Sequence, residues 1–370
     1  MEKYSPKRTK DREGKAAVTD HYHAVLEDSA RVAMTKVPTV SAVIPTYNRG
    51  HLLKNAIDSI LAQTYPVHEI IVVDDGSTDG TREMLESYVK EESGSIRCPV
   101  HYFYQQNQGQ SVALNKGIEM GNGEWIAFLH SDDAWLPQKL ESQFRTIEYF
   151  DWQCGLCFTD AQFVNNPHMQ TTTFQLAGMC YEQPLGIVSD PLRSIVGSDQ
   201  PYPGVWVPTQ LVRADLARRI GGFDPQLRCS EDQDFLFRLA LITNLCFVNS
   251  SQVSIDRTPV WDRASKLWDQ VDIRLRNDQY RCEKWLNLSA ELPSDVRIGI
   301  RNNLRDIHSA WTNFYLEREE YESARQEIST ALKYGLTVKL AIKLILTQIA
   351  PKLARKVVLK YARRCNPDHF

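Results

Sequence analysis

Three acidic clusters carry most of the chemistry available to this chain: Asp74-Asp75, Asp132-Asp133, and Glu231-Asp232 with Asp234 close behind. Carboxylates are hard oxygen ligands, and Asp132-Asp133 suits Mg²⁺ or Mn²⁺ in a site that keeps positions open for water and substrate phosphates. The same two letters serve equally as a helix cap or a solvated turn. Asp74 and Asp75 only accept hydrogen bonds, which fits a ribose or the imide of a base, or a turn that caps the helix after it. At Glu231-Asp232 a carboxylate can take a proton from an incoming hydroxyl, while negative charge at a helix start explains the letters as well.

The elements around these clusters follow from periodicity. Val40–Pro45 is a short apolar run that reads as a buried strand, and Leu52, Leu53, Ala56, Ile57, Ile60 and Leu61 then fall on one helical face. Ile70–Val73 repeats the strand, with Thr78 or Asp79 placed to cap a second helix. Val100–Tyr104, a helix from Ser111 and Trp125–Leu129 continue the alternation. Strand and helix in turn predict an α/β fold, a mostly parallel sheet flanked by helices. Ligands of such sheets sit beyond the carboxyl ends of the strands, where both Asp74-Asp75 and Asp132-Asp133 lie.

The 43 basic and 46 acidic residues leave a net charge of −3, which excludes any global attraction to nucleic acid. The eight cysteines are scattered and too few for a disulfide scaffold, so free thiols and a cytoplasmic location are expected. Residues 1–36 lack a signal-peptide pattern and read as a mobile arm. No apolar run reaches a membrane span. From Lys333 to Arg364 there are nine basic residues and no acid. Leu336, Leu340, Leu344, Ile345, Ile349, Leu353, Val357 and Val358 recur there near helical spacing, broken at Pro351. A basic amphipathic helix of this kind packs on the body or attaches, through residues 335–364, to an anionic membrane surface at its inner face.

Eight blocks, in order, resemble family 2 glycosyltransferases of the GT-A fold: Val43-Ile44-Pro45-Thr46-Tyr47-Asn48-Arg49, Gln63-Thr64-Tyr65-Pro66, Val72 to Asp79, Asn107 to Gly117, Gly123 to Leu129, Ser131-Asp132-Asp133-x-Trp135-x-Pro137, Gly221-Gly222-Phe223-Asp224 and Glu231-Asp232. The resemblance covers about 40–260. It implies a catalytic domain at 37–265, a helical C-terminal extension at 266–370, and inverting transfer of a sugar from a nucleotide-diphosphate sugar, a UDP-sugar favoured, to a hydroxyl acceptor. A glycan or lipid-linked acceptor of cell-surface polysaccharide synthesis would be the partner. By the same resemblance Thr46, Tyr47 and Asp75 line the base and ribose pocket, with Pro45, Arg49, Asp74, Asn115, Ser131 and Asp133 around the donor. Asp132 holds the Mn²⁺ or Mg²⁺, and Asp232, beside Glu231, is the base.

Two letters depart from the family pattern. His130 stands where the family has the first carboxylate of Asp-x-Asp, and Ile255-Asp256-Arg257-Thr258-Pro259 lacks the family's later histidine, leaving Arg257 as a contact for the diphosphate. They motivate a second reading, a catalytically impaired nucleotide-sugar-binding or scaffold protein on the same fold. A nucleotidyltransferase would need a Gly-rich triphosphate loop with a lysine, which Pro-Thr-Tyr-Asn-Arg-Gly does not supply. Trp206 and Trp261 are aromatic candidates for stacking on an acceptor sugar.

Overall fold

The computed structural model describes residues 37–91, 97–197, 202–258, 270–288 and 292–362. The expected arm at 1–36, Trp261, the 265/266 boundary, Arg363 and Arg364 lie outside the described residues.

Strand β1 (Val40–Thr46) is buried along its whole length, as its mostly apolar sequence requires of a central parallel strand. It pairs in parallel with β2 (Glu69–Asp74) on one side and β4 (Trp125–Phe128) on the other, and β3 (Val100–Tyr104) extends the sheet beyond β2. Thr46, Asp74 and Tyr104 stand side by side in register, so β1, β2 and β3 end at one edge. Helices α1 (Gly50–Leu61), α2 (Thr81–Glu91) and α3 (Gln110–Met120) connect these strands and bury Leu53, Ile57, Leu85 and Leu114 against them.

Beyond β4 the pairing changes direction. Antiparallel β8 (Gln210–Arg213) joins β4 to a long parallel pair, β6 (Cys154–Val164) and β9 (Asn244–Asp256), with β5 (Ala134–Trp135) and β7 (Leu185–Ile187) added antiparallel to β9. The described elements between 165 and 197 are short, α5 (Thr173–Leu176), β7 and α6 (Pro191–Val196), below the length at which sequence periodicity emerges. Helix α4 (Lys139–Tyr149) precedes β6, and α7 (Ala214–Arg219) follows β8.

One carboxylate organises two helix starts. Asp79 accepts from the backbone N–H of Gly50 at 3.1 Å and of Thr81 at 3.1 Å, joining the amino ends of α1 and α2. Burial opposes its charge, but these hydrogen bonds and that from the Thr81 hydroxyl outweigh it and hold the carboxyl below its usual range. Asp79, rather than Thr78, is therefore the capping side chain.

The aromatic core fixes the helix of the third acidic cluster, α8 (Glu231–Ala240). Phe223 stacks on Phe235 with centroids 4.1 Å apart, and both rings meet Phe128 of β4 edge-on. All three are fully buried, worth about 1.5–3 kcal/mol each in transfer from water. From the opposite side α9 (Val271–Leu288) stacks Trp285 on Phe237 at 4.2 Å. The same hydrophobic core runs on through Val296, Ile300 and Leu304 of α10 (Ser294–Glu317) without a break. Smaller clusters lie beyond it, at Leu316, Ala324 and Ala354 and at Ile328, Ala331 and Leu340.

A helical hairpin forms where α10 meets α11 (Tyr321–Lys333), turned at Glu319 in a left-handed conformation (φ 64°). Pro351 divides the C-terminal segment into α12 (Val338–Ile349) and α13 (Pro351–Ala362). No helix among the described residues is long and apolar enough to cross a membrane.

Candidate active site

The three acidic clusters converge, but not as three free sets of carboxylates. At the end of β2, Asp74 is buried and both its oxygens are taken, one by the Ser77 N–H at 2.8 Å and one by the Tyr102 hydroxyl at 2.7 Å. It braces the turn and ties β2 to β3. Asp75 accepts from Gln105 Nε2 at 2.7 Å and from the N–H groups of Gln108 and Gly109 at 2.9 and 2.8 Å. A carboxylate has about four lone-pair sites, so one remains for a ligand. Beside it the Thr46 hydroxyl is buried without a hydrogen-bond partner, and Tyr47 is half exposed. Pro45 is buried in β1.

The loop that carries Arg49 is held at Asn48, whose φ is 51°. Its N–H donates to Ser77 Oγ at 2.8 Å, and its side-chain oxygen accepts from the Thr78 N–H at 2.7 Å. So placed, Arg49 Nη1 lies 2.8 Å from Asp132 Oδ2. His130, Asp132 and Asp133 each present a ligand atom, all within 4.8 Å of one another. Asp133 is buried, and its Oδ1 accepts from the N–H of Asp256 at 3.0 Å. The Asp256 carboxylate accepts in turn from Asn165 Nδ2 at 2.6 Å. His130 Nδ1 is 3.4 Å from Asp133 Oδ2. Burial and the Asp132 charge lift the carboxyl of Asp133 above its ordinary range, with His130 opposing them. Burial disfavours His130's positive charge, but Asp133 and Asp132 outweigh it and raise that pKa.

Two carboxylates and an imidazole in this grouping fit a hard or borderline divalent cation such as Mn²⁺. Asp132 would be its ligand, with His130 and Asp133 beside it. Ser131, within the same turn, is buried.

Glu231 and Asp232 open α8 after Ser230, which takes a left-handed conformation (φ 63°). Burial, and then the Asp232 charge, push the Glu231 carboxyl up to about 7. Burial raises Asp232 as well, against the Gln233 N–H at 2.8 Å and the nearby Arg281 charge. Gln110 connects this cluster to the preceding one, since its Nε2 is 3.1 Å from His130 Nε2 and 3.4 Å from Glu231 Oε1. Gln110 follows Gly109, whose N–H is bound to Asp75. Asp75, Gln110, His130 and Glu231 thus form one connected wall.

Asp234 belongs to the framework. Fully buried, it pairs with Arg238 at 2.7 Å and Lys284 at 2.9 Å, and accepts from Trp285 Nε1 at 3.1 Å. Asn115 works from behind too: its amide spans the backbone of Phe223, donating to the carbonyl at 2.7 Å and accepting from the N–H at 2.7 Å. A Cβ at Gly222 would meet Asn115 Oδ1 at 2.2 Å, so the glycine pair permits this clasp. Trp206 meets Phe163 edge-on at 5.5 Å, and the Arg257 guanidinium lies over both rings at 5.2 and 5.4 Å. Cys154 and Cys157 are free, buried thiols of β6. Sequence reasoning missed Gln110 and the pairing of Arg49 with Asp132, because neither residue type is unusual at its position. Only the fold brings them to the carboxylates.

Residues 41–185 match the model of glycosyl transferase family 2. Over this segment the chain is similar to that family. It is 32% identical over 214 residues to an uncharacterized glycosyltransferase of Rickettsia typhi, covering 58% of this chain and 62% of the relative. It is 40% identical over 123 residues to the putative teichuronic acid biosynthesis glycosyltransferase TuaG of Bacillus subtilis, covering 33% of this chain and 46% of that one. The chain therefore spans less than two thirds of either relative. Among solved structures, S. aureus TarS 1–349 in complex with UDP-GlcNAc superposes with a TM-score of 0.53 at 17% identity, over 89% of this chain and 92% of that one. The mannosyltransferase PcManGT of Pyrobaculum calidifontis, in complex with GDP-Man and Mn²⁺, gives 0.52 at 17% identity over 95% of each chain. At such identities the superpositions show the fold alone, of the GT-A type expected from the sequence.

Proposed function

We propose that this protein is an inverting glycosyltransferase that moves a sugar from a nucleotide-diphosphate sugar, a UDP-sugar favoured, to a hydroxyl of a glycan or lipid-linked acceptor in cell-surface polysaccharide synthesis. The observation that carries the reading is the wall from Asp75 through Gln110 to His130 and Glu231, which brings three acidic clusters to one cleft. The donors named for TarS and PcManGT, and the polysaccharide named for TuaG, support the substrate class.

In this reading Thr46, Tyr47 and the remaining lone pair of Asp75 receive the base and ribose. A Mn²⁺ or Mg²⁺ ion on Asp132 supplies neutralisation of charge on the departing diphosphate. Glu231 and Asp232 divide their work by environment. Burial pushes the Glu231 carboxyl up to about 7 and raises Asp232 as well, while the Gln233 N–H and Arg281 act on Asp232 to favour its charge. Asp232 is then the base that takes the acceptor's hydroxyl proton as the oxygen attacks the anomeric carbon opposite the diphosphate. A single displacement inverts that carbon.

Nucleotide release and sugar transfer measured across uridine, guanosine and thymidine diphosphate sugars with Mn²⁺ test this reading. Metal-dependent nucleotide binding without turnover of any donor would favour the scaffold reading motivated by His130. A lipid-linked acceptor implies work at a membrane surface, and the cytoplasmic inner face is the place proposed for it.

A further inference from the structure

The C-terminal helices have two apolar faces, and only one of them is used by the fold. In α12, Leu340 and Leu344 pack against Ile328, Ala331 and Leu332 of α11. In α13, Ala354 and Val358 pack against Leu316 of α10 and Ala324 of α11. The single stripe expected from the sequence is therefore corrected: Leu340, Leu344 and Val358 face the body, while Ile345 and Ile349 belong to another row. Val338, Ile342, Ile345 and Ile349 are spaced i, i+4, i+7 and i+11, within an arc of about 60° on the face opposite Leu340. They are 80%, 55%, 54% and 80% exposed, and Leu353 and Val357 carry the exposed row onto α13 at 51% and 37%.

The charges sort in the same way. Lys343 is turned inward, donating to Ser309 Oγ at 2.8 Å, and Arg355 pairs with Glu319 at 3.1 Å. Lys339, Lys352, Lys356 and Lys360 are exposed, and no acidic residue occurs between Lys333 and Ala362. At the joint of the two helices Ile349, Leu353, Lys352 and Lys356 line one shallow hollow. Branched aliphatic side chains beside lysines, with no acid to repel a phosphate, are complementary to a layer that is anionic at its surface and hydrocarbon beneath.

We propose that the outward row from Val338 to Val357 is a membrane-docking surface that inserts among anionic lipids, with Lys339, Lys352, Lys356 and Lys360 on the headgroups. This deepens, and takes its purpose from, the lipid-linked acceptor reading. It does so by naming the residues that touch the bilayer and those that do not.

The test uses the full chain without donor, sedimented with vesicles of phosphatidylcholine alone or containing about one third phosphatidylglycerol. Wild type should partition onto the anionic vesicles at least about tenfold more strongly, and lose this in high salt. The pair Ile345→Glu and Ile349→Glu should cost at least about tenfold. Lys352→Glu with Lys356→Glu should abolish the lipid preference. Nucleotide binding confirms that each variant is folded. The proposal is overturned if wild type ignores anionic vesicles, if the isoleucine variant binds them as well as wild type, or if wild type is a dimer that this variant dissociates. The last result would seat a second copy on the row. Vesicle binding by a protein that transfers no sugar would sink the transfer reading and leave this one standing.

Discussion

The guanidinium of Arg49 lies 2.8 Å from Asp132 Oδ2, the carboxylate proposed to hold the metal. The pair is only 20% and 10% exposed, so each charge is partly desolvated and each neutralises the other. A divalent cation arriving at Asp132 has to compete with an arginine already there.

Replacing Arg49 with Gln should therefore tighten Mn²⁺ binding by the nucleotide-free protein, by about two- to fivefold for a pair worth up to about 1 kcal/mol. Titration followed by the Mn²⁺ electron-spin signal reads this directly. Asp132→Asn should weaken the same signal, and unchanged affinity in both variants would show that the ion binds elsewhere.

Asp232→Asn keeps the size of the side chain but cannot accept the acceptor's proton. Transfer should fall by about 10²–10⁴-fold while donor binding, measured by calorimetry, stays within about twofold. Full turnover by this variant would remove Asp232 from the role of base.

Glu231 makes stability depend on pH in a direction opposite to that of an ordinary salt-bridged carboxylate. Its folded pKa of about 7 is above the ordinary glutamate value of 4.5, so between these pH values the native state binds more protons than the unfolded state. Its contribution is fully present below 4.5 and is lost as pH rises through about 7. Glu231→Gln should flatten that fall and make the protein more stable than wild type at pH 8, by about 2–3 kcal/mol. Chemical denaturation at pH 5 and pH 8 checks the sign.

Asp234 and Asp232 are two positions apart and should respond differently to alanine. Asp234→Ala strips the buried Arg238 of its carboxylate, while Lys284 keeps Asp224 at 2.6 Å, a loss of about 3 kcal/mol. Thermal unfolding should show it clearly. Asp232→Ala removes a partly buried carboxylate whose pKa is already raised, so its melting temperature should hold or rise.

The four parallel strands and their helices were legible because each strand is a short apolar run and each helix repeats one apolar face. The change to antiparallel pairing at β8 was not, since Gln-Leu-Val-Arg carries no mark of its partners. The clusters were legible as chemistry but not as geometry. Asp74 and Asp75 are adjacent letters of one type, yet one is spent on Ser77 and Tyr102 while the other holds the 105–109 loop. Asn115 carried the pattern of a ligand-binding residue, and its partner is the backbone of Phe223, 108 positions away. In the C-terminal helices the sequence shows which residues are apolar, but with two apolar faces only packing decides which one turns outward.

The three hydrogen bonds that Asp75 makes to the 105–109 loop give the cleft a built-in sequence of events. A nucleotide base that claims Asp75 has to draw on the same carboxylate that tethers Gly109, one residue before Gln110. With Asp75 in the proposed base-binding role, the arrival of a donor would be felt at His130 and Glu231 before any acceptor enters. Donor and acceptor should add in compulsory order, donor first, with the Gln110 amide as the part that reports a filled pocket.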